Sequence, residues 1–517
     1  MRPLRPLGPH ASSADVSAFL RRTEARLTML DHGIALADWR LFTGRSSSGS
    51  LSWQLGRNEW LSDPALLEFA RGAQGTVRGS LLRRRMELLE RVVVESQIEQ
   101  YPPIARARAR LQRRITAYRP RWKGRRVDRA EIDTVLRRDP DRAEREKAFY
   151  AEQPLYGPLE NELRRLVHAR NDRARDLGFR SYPAYKLGYE GLTVERLFEL
   201  METALTGASR RLREVRARFQ ERTGLTEWLP WDLPFLHEAE GGLPDPAFPA
   251  LDLVPAVLEG VRGWGFRPSQ LKFRIDEHDL PFGGMEIAVH PPKDVRIIVH
   301  PKSGWLWYMV LFHEVGHGIH SRSARASSHL LRGHESVLGF QGLVEGIGGL
   351  FEELPGSAEW LTTRPGLDAR LVNEFRNRRQ ETELSRMVSL VGWVRQEIGL
   401  YLDPEGDPAA EMLRFQKEML GFDDFRPLSA ADSFTVDSPV YSQSYILAEL
   451  FDKQILSAVR SQIDGPLWPN PKFAGWLTEN WLRYGTRHDW VPRVKEVTGQ
   501  AFGAEEFVRG RSLDRSL

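Results

Sequence analysis

From about residue 13 to residue 225, apolar positions recur at spacings of three and four, and arginine and glutamate fill the positions between them. Such spacing gathers apolar side chains on one stripe of a helix, so it predicts a succession of amphipathic helices, clearest over residues 81–98 and 194–219. Proline pairs such as Pro102-Pro103 punctuate the succession. Over residues 224–249, GLTEWLPWDLPFLHEAEGGLPDPAFP, the periodicity gives way to clustered proline, glycine and tryptophan. This stretch predicts a structured crossing between a helical N-terminal lobe (1–225) and a second lobe (226–517), the two making one domain overall. Two short runs then change period. MEIAVH (285–290) and VRIIVH (295–300) are β-rich, and the PPKD between them predicts a hairpin connection. Helical patterning returns over 339–350, 368–400 and 441–463, so the expected fold class is mainly α with a small β-sheet.

The helix that follows the hairpin carries the chemistry. WLWYMVLFHEVGHGIHS (305–321) is an apolar run holding His313, Glu314 and His317 in the order H-E-x-x-H. Histidines four residues apart lie one turn from each other on one helix face, so both imidazoles reach a single ion. Neutral imidazole nitrogens suit Zn²⁺, and three protein ligands leave a fourth position for water. Glu314 falls where it can take a proton from a water activated by that ion. The 517 residues contain no cysteine, which excludes disulfides, thiolate ligands and cysteine nucleophiles and makes the third ligand a carboxylate. Four candidates follow: Glu335, Glu345, Glu352 and Glu353. Glu345 leads because Gly346, Gly348 and Gly349 beside it let one helix approach another closely. Glu335, in His334-Glu335-Ser336, lies nearer His317 in the intervening loop and stands second. One zinc ion per chain is expected.

Composition narrows the setting. Hydrophobic residues make up 41% of the chain, ample for a sizeable core. No apolar run approaches the roughly 18 residues of a membrane span, and the N-terminus has no run of signal-peptide length. A soluble, cytoplasmic protein with no membrane partner is expected. Arginine-rich stretches at 83–85 and 106–129 suggest nucleic acid, but 70 acidic residues balance 74 basic ones. Solvated helix faces explain them better, and no nucleic-acid partner is expected.

HEVGHGIHS followed by VEGIGGLFEE resembles the metallopeptidases of the thimet oligopeptidase and oligoendopeptidase F family and of the angiotensin-converting enzyme family. KDVRI (293–297), ARDLGFRSYPAYKL (174–187), YSQSYILAELF (441–451) and the C-terminal run 484–502 are similar to segments of the same groups. The resemblance implies a bilobed, mainly helical peptidase with a deep central cleft that admits short unfolded peptides. It implies zinc held by His313, His317 and Glu345, with Glu314 as general base. Peptides would pair with an edge strand, here 285–290 with Glu286 and Ala288 near its centre, through backbone bonds that tolerate varied side chains. A tyrosine on the later helix would steady the oxyanion: Tyr445 by position, with Tyr441 one turn earlier. His320, three residues past His317, is a further candidate for substrate contact.

The chain also departs from its relatives. No histidine lies between His334 and His488, and the aspartate expected four residues after the ligand glutamate is Gly349. The lysine-based dock for a C-terminal carboxylate has no counterpart, which leaves endopeptidase and exopeptidase modes open. Three alternatives stand beside the oligopeptidase reading: a carboxypeptidase resembling the Taq group, with Glu335 as ligand; a pathway-specific metal-dependent amide hydrolase; and a non-catalytic peptide-binding scaffold.

Overall fold

The computed structural model describes residues 11–510 apart from 76, 156, 226–228, 236–241, 281–282, 333–336 and 421–432. The fold is mainly α. In the first part of the chain, helices span Ser13–Phe42, Leu51–Leu61, Pro64–Gln74, Ser80–Glu99, Pro102–Ala117, Arg129–Arg138, Arg142–Glu152, Gly157–Asp176, Tyr182–Glu190 and Val194–Thr223. Local chemistry sets their ends. Ser12 and Asp15 form a reciprocal capping box at the first helix, and Pro64 and Pro102 open theirs at positions where no amide hydrogen is needed. Val194–Thr223 stops at Gly224, which takes the left-handed conformation.

A feature that the periodicity does not predict interrupts this series. Strands β1 (Arg121–Trp122) and β2 (Arg125–Arg126) pair antiparallel around Lys123-Gly124. Two residues per strand are too few to show a period of two. Trp122 nonetheless buries against Val127, Ile132 and Ala148 in a small satellite core.

The three-stranded sheet is made of β3 (Arg274–Glu277), β4 (Gly284–His290) and β5 (Asp294–Val299) in the order β3-β5-β4. β4 and β5 form the predicted hairpin, with Glu286 opposite Ile297 and an irregularity between Ile287 and His290. β5 is central and buries Ile297, Ile298 and Val299 in succession, whereas β4 is an edge. The short β3 joins parallel to β5 and was not foreseen. Four helices then build the site: Trp305–Ser323, Gln341–Glu352, Ala369–Leu402 and Gln443–Gln462. None of the described helices is long and apolar enough to cross a membrane.

One apolar core runs from Val16 to Phe507, so elements before and after residue 225 bury their faces together. In the crossing, Trp231 and Asp232 are held in the interior, and Asp232, fully buried, accepts from Arg142 and Arg145 at 2.9 Å each. Residues 226–228 and 236–241 of that stretch lie outside the described residues.

A buried polar knot ties early helices to late ones. Arg170 is fully buried and donates to Glu99 Oε2 at 3.0 Å, the Val436 carbonyl at 2.7 Å and the Thr435 carbonyl at 3.0 Å. Tyr182 donates to the other Glu99 oxygen at 2.8 Å and stacks on Tyr401, ring centroids 5.2 Å apart. Burial raises the pKa of Glu99, but Arg170 and Arg108 outweigh it and hold the carboxyl below its ordinary range. Its contribution to stability is therefore present above the ordinary carboxylate range and is lost as pH falls through the lowered value. Arg170→Met leaves a buried carboxylate without its main partner and should cost about 3–5 kcal/mol in urea unfolding at neutral pH. Adding Glu99→Gln should recover much of that loss. A double variant as unstable as the sum of the two singles would contradict the pairing.

Candidate metal centre

The helix Trp305–Ser323 starts at Gly304, whose φ of 116° a side chain would resist. Tyr308, Leu311, Phe312, Val315 and Ile319 bury one side of it. The helix Gln341–Glu352 packs against it so closely that no side chain fits at the contact. A Cβ at position 348 would lie 2.6 Å from Cε1 of His313, and one at 346 would lie 2.6 Å from the ring of Phe451. Gly346 and Gly349 admit the helix Gln443–Gln462 on one side, while Gly348 admits the first histidine on the other. This is the close approach that the glycine-rich sequence around Glu345 predicts.

Three side chains converge as a result. The Nε2 atoms of His313 and His317 stand 2.8 Å apart, and Glu345 Oε2 lies 3.6 Å from His313 Nε2. Each of the three residues offers one ligand atom, and these atoms all fall within 4.8 Å of one another. Nitrogen ligands 2.0–2.1 Å from a tetrahedral zinc ion stand roughly 3.3 Å apart, so a small opening of the histidine pair suffices. Two imidazoles and one carboxylate, with no thiolate, fit that ion.

An outer layer fixes the inner one. Glu352 Oε1 lies 2.7 Å from His313 Nδ1, leaving Nε2 to face the group. The Tyr441 hydroxyl donates to Glu345 Oε1. Burial works against a charged His313, yet Glu352, Glu314 and Glu345 outweigh it and hold its pKa up at about 9. Burial likewise raises Glu352, but the His313 bond and charge, with Arg386 and Arg379, bring it below the carboxylate range. Glu352 was weighed from sequence as a metal ligand, and the structure gives it this orienting position instead. The signal was present, because it lies two helical turns beyond Glu345 on the same face.

The other candidates fall around this group. Glu314 is buried beside the start of β4, its Cγ 3.2 Å from where a Cβ of Gly284 would be. Glu286 and Ala288 lie on edge strand β4 and line a cleft of about 570 Å³, facing Asp31 and His32 of the first helix. At the far end of that edge, His32 Nδ1 donates to the Val289 carbonyl at 2.9 Å. Tyr445 is 39% exposed and lines a second cavity, of about 320 Å³, together with His313 and Glu345. Burial, reinforced by Glu345 and Glu314, raises the Tyr445 pKa, so its hydroxyl stays a donor at neutral pH. The two tyrosines differ in engagement: Tyr441 is spent on Glu345, whereas Tyr445 faces open space 5.8 Å away, centroid to centroid. His320 is 1% exposed and lines neither cavity. Glu353 pairs with Lys453. His334 and Glu335 lie outside the described residues.

No family sequence model matches the chain, and no curated protein sequence matches it. Solved structures do. Trypanosoma cruzi metallocarboxypeptidase 1 superposes with a TM-score of 0.66 over 95% of this chain and 98% of its own, at 17% identity. The shared fold therefore extends over essentially the whole of both chains, although little sequence is held in common.

Glu352→Ala frees the His313 ring and removes its outer partner. Metal affinity should fall about 10–100-fold, measured by competition with a chromophoric chelator. Unchanged affinity would show that packing alone orients the ring.

Proposed function

We propose that this chain is a zinc-dependent peptidase that hydrolyses short unfolded peptides, with His313, His317 and Glu345 holding the ion. The observation that carries the reading is the convergence of these three side chains with Glu314 where edge strand β4 begins. When bound, a zinc ion polarises a carbonyl and lowers the pKa of water. The chain's own residues do the rest. Glu314 takes a proton from the attacking water and returns it to the leaving amine. Tyr445 donates to the oxygen on which negative charge develops. Tyr441 and Glu352 hold a carboxylate and an imidazole in place. Backbone groups of β4 around Glu286 and Ala288 pair with the peptide, and the cleft facing the first helix sets the peptide's direction.

The resemblance to thimet oligopeptidase and oligoendopeptidase F favours cleavage within oligopeptides. A second reading, release of C-terminal residues, is favoured by the whole-length likeness to a protein named as a metallocarboxypeptidase. Among the described residues Glu345 is the carboxylate that joins the two histidines, while Glu335, the ligand first weighed for that reading, lies outside them. Mass spectrometry of a mixed peptide library after digestion separates the two: internal cuts mark the first, single C-terminal losses the second. A library left intact by zinc-loaded protein would refute both and leave an amide hydrolase or a binding scaffold.

Glu314→Gln preserves size and hydrogen bonding but accepts no proton. Zinc content should stay at wild type while turnover falls on the order of 10²–10⁴-fold. Near-normal turnover would remove Glu314 from the role of base. Tyr445→Phe should lower kcat by roughly 10²–10³-fold with little change in KM, because its hydroxyl acts chiefly in the transition state. Tyr441→Phe should instead weaken metal binding. Equal, small effects of both on kcat would place the oxyanion donor elsewhere.

A further inference from the structure

The cavity that Tyr445 shares with His313 and Glu345 is lined from four helices and includes Asp452. Its surroundings hold an unequal set of charges. Lys453 pairs with Glu353, Arg379 with Glu383 at 2.6 Å, and Arg386 stands 3.7 Å from Glu449. Glu352 lines the same cavity and is held by His313, Arg386 and Arg379, so among the described residues of the lining the carboxyls outnumber the cations, and Asp452 belongs to none of these pairs. Asp452 is 5% exposed, and its Oδ1 is buried without a hydrogen-bond partner among the described residues. Gly349 leaves the room it occupies, since a Cβ there would lie 2.2 Å from Asp452 Oδ2. Burying an acceptor with no donor is unfavourable, so the arrangement is complete only when a donor arrives. Burial, then Glu449, pushes the Asp452 pKa well above the carboxylate range, so the group waits uncharged in a negative surrounding.

We propose that this cavity is a side-chain pocket for a lysine or arginine flanking the scissile bond, its charged end meeting Asp452. The proposal rests on the peptidase reading above and names a substrate class for the same site. Geometry supplies the position: His313, Glu345 and Tyr445 line the same cavity as Asp452, so a carbonyl held at the metal group would place its neighbouring side chain beside that cavity. Chemistry supplies the preference. Met387, Leu390 and Ala448 offer apolar wall to a methylene stem, and Asp452 and Glu449 in the same lining offer carboxyls to its charged end. An acidic side chain would meet more carboxyls than Arg379 and Arg386 offset.

Calorimetric binding of N-acetyl-argininamide and N-acetyl-norleucinamide to the full chain as purified tests this without reading turnover. The acetyl group removes the α-amine, so a preference reports the side chain alone. The arginine probe should bind roughly ten- to hundredfold more tightly, the scale of one charge-assisted hydrogen bond. Asp452→Asn should abolish the preference while leaving the melting temperature no lower, since it removes a buried carboxyl that lacks a partner. Ala448→Leu, which narrows the apolar wall without changing charge, should weaken both probes. Equal affinities for the wild-type protein, or a preference that survives Asp452→Asn, would overturn the proposal. Absence of peptide cleavage would count against the peptidase reading, whereas equal probe binding by an active peptidase would count against the pocket alone.

Discussion

Two buried carboxylates, Glu314 and Glu345, and the half-buried Glu352 surround two imidazoles near the middle of a helical protein. Such a concentration of acceptors is unfavourable unless positive charge is placed among them. The structure meets this constraint in part by holding His313 protonated up to about pH 9 and by standing Arg379 and Arg386 behind Glu352. A divalent cation meets it more fully, because it presents two charges to the inward-facing nitrogens and the Glu345 carboxylate at once. Binding it would displace the proton from His313, so affinity would fall in acid. The outer partners, Tyr441 on Glu345 and Glu352 on His313, hold two of the three inner groups from outside, as such occupancy would require.

Everything larger follows from bringing those groups together. Three helices meet face to face at glycines, where a single added Cβ would collide with His313, Phe451 or Asp452. The small sheet lies against the same histidine helix, with Gly284 of its edge strand touching Glu314. A peptide added to that edge would therefore reach the base and the metal group at one end. At the other end, His32 occupies the Val289 carbonyl and closes the edge to further pairing. The fully buried Arg170 knot fixes the early helices to the long helix Ala369–Leu402, which forms one wall of the inner cavity.

Local signals in the sequence were strong where the chemistry repeats at short range. The i, i+4 histidines, the glycines around Glu345, the hairpin of β4 and β5 and the long amphipathic helices were all legible, because each depends on residues within one or two turns. What was not legible depends on distance. Arg170 finds Glu99 and Val436 across 71 and 266 residues, and no periodicity announces such a pair. Gly349 looked like a missing aspartate. In three dimensions its bare backbone makes space for Asp452, which arrives from a helix more than a hundred residues later. Tyr441 and Tyr445 could not be told apart by spacing; only the position of Glu345 shows that one is engaged and the other is not. The β1–β2 turn and the four-residue β3 were simply too short to leave a pattern.

The central claim is that His313, His317 and Glu345 form a metal centre, and anomalous scattering measured at the zinc edge from crystals of the full chain tests it most directly. The account predicts a single strong anomalous peak bonded to Nε2 of both histidines and to one oxygen of Glu345, with Glu352 remaining on His313 Nδ1. No peak after reconstitution with zinc, or a peak bound elsewhere in the chain, would contradict it.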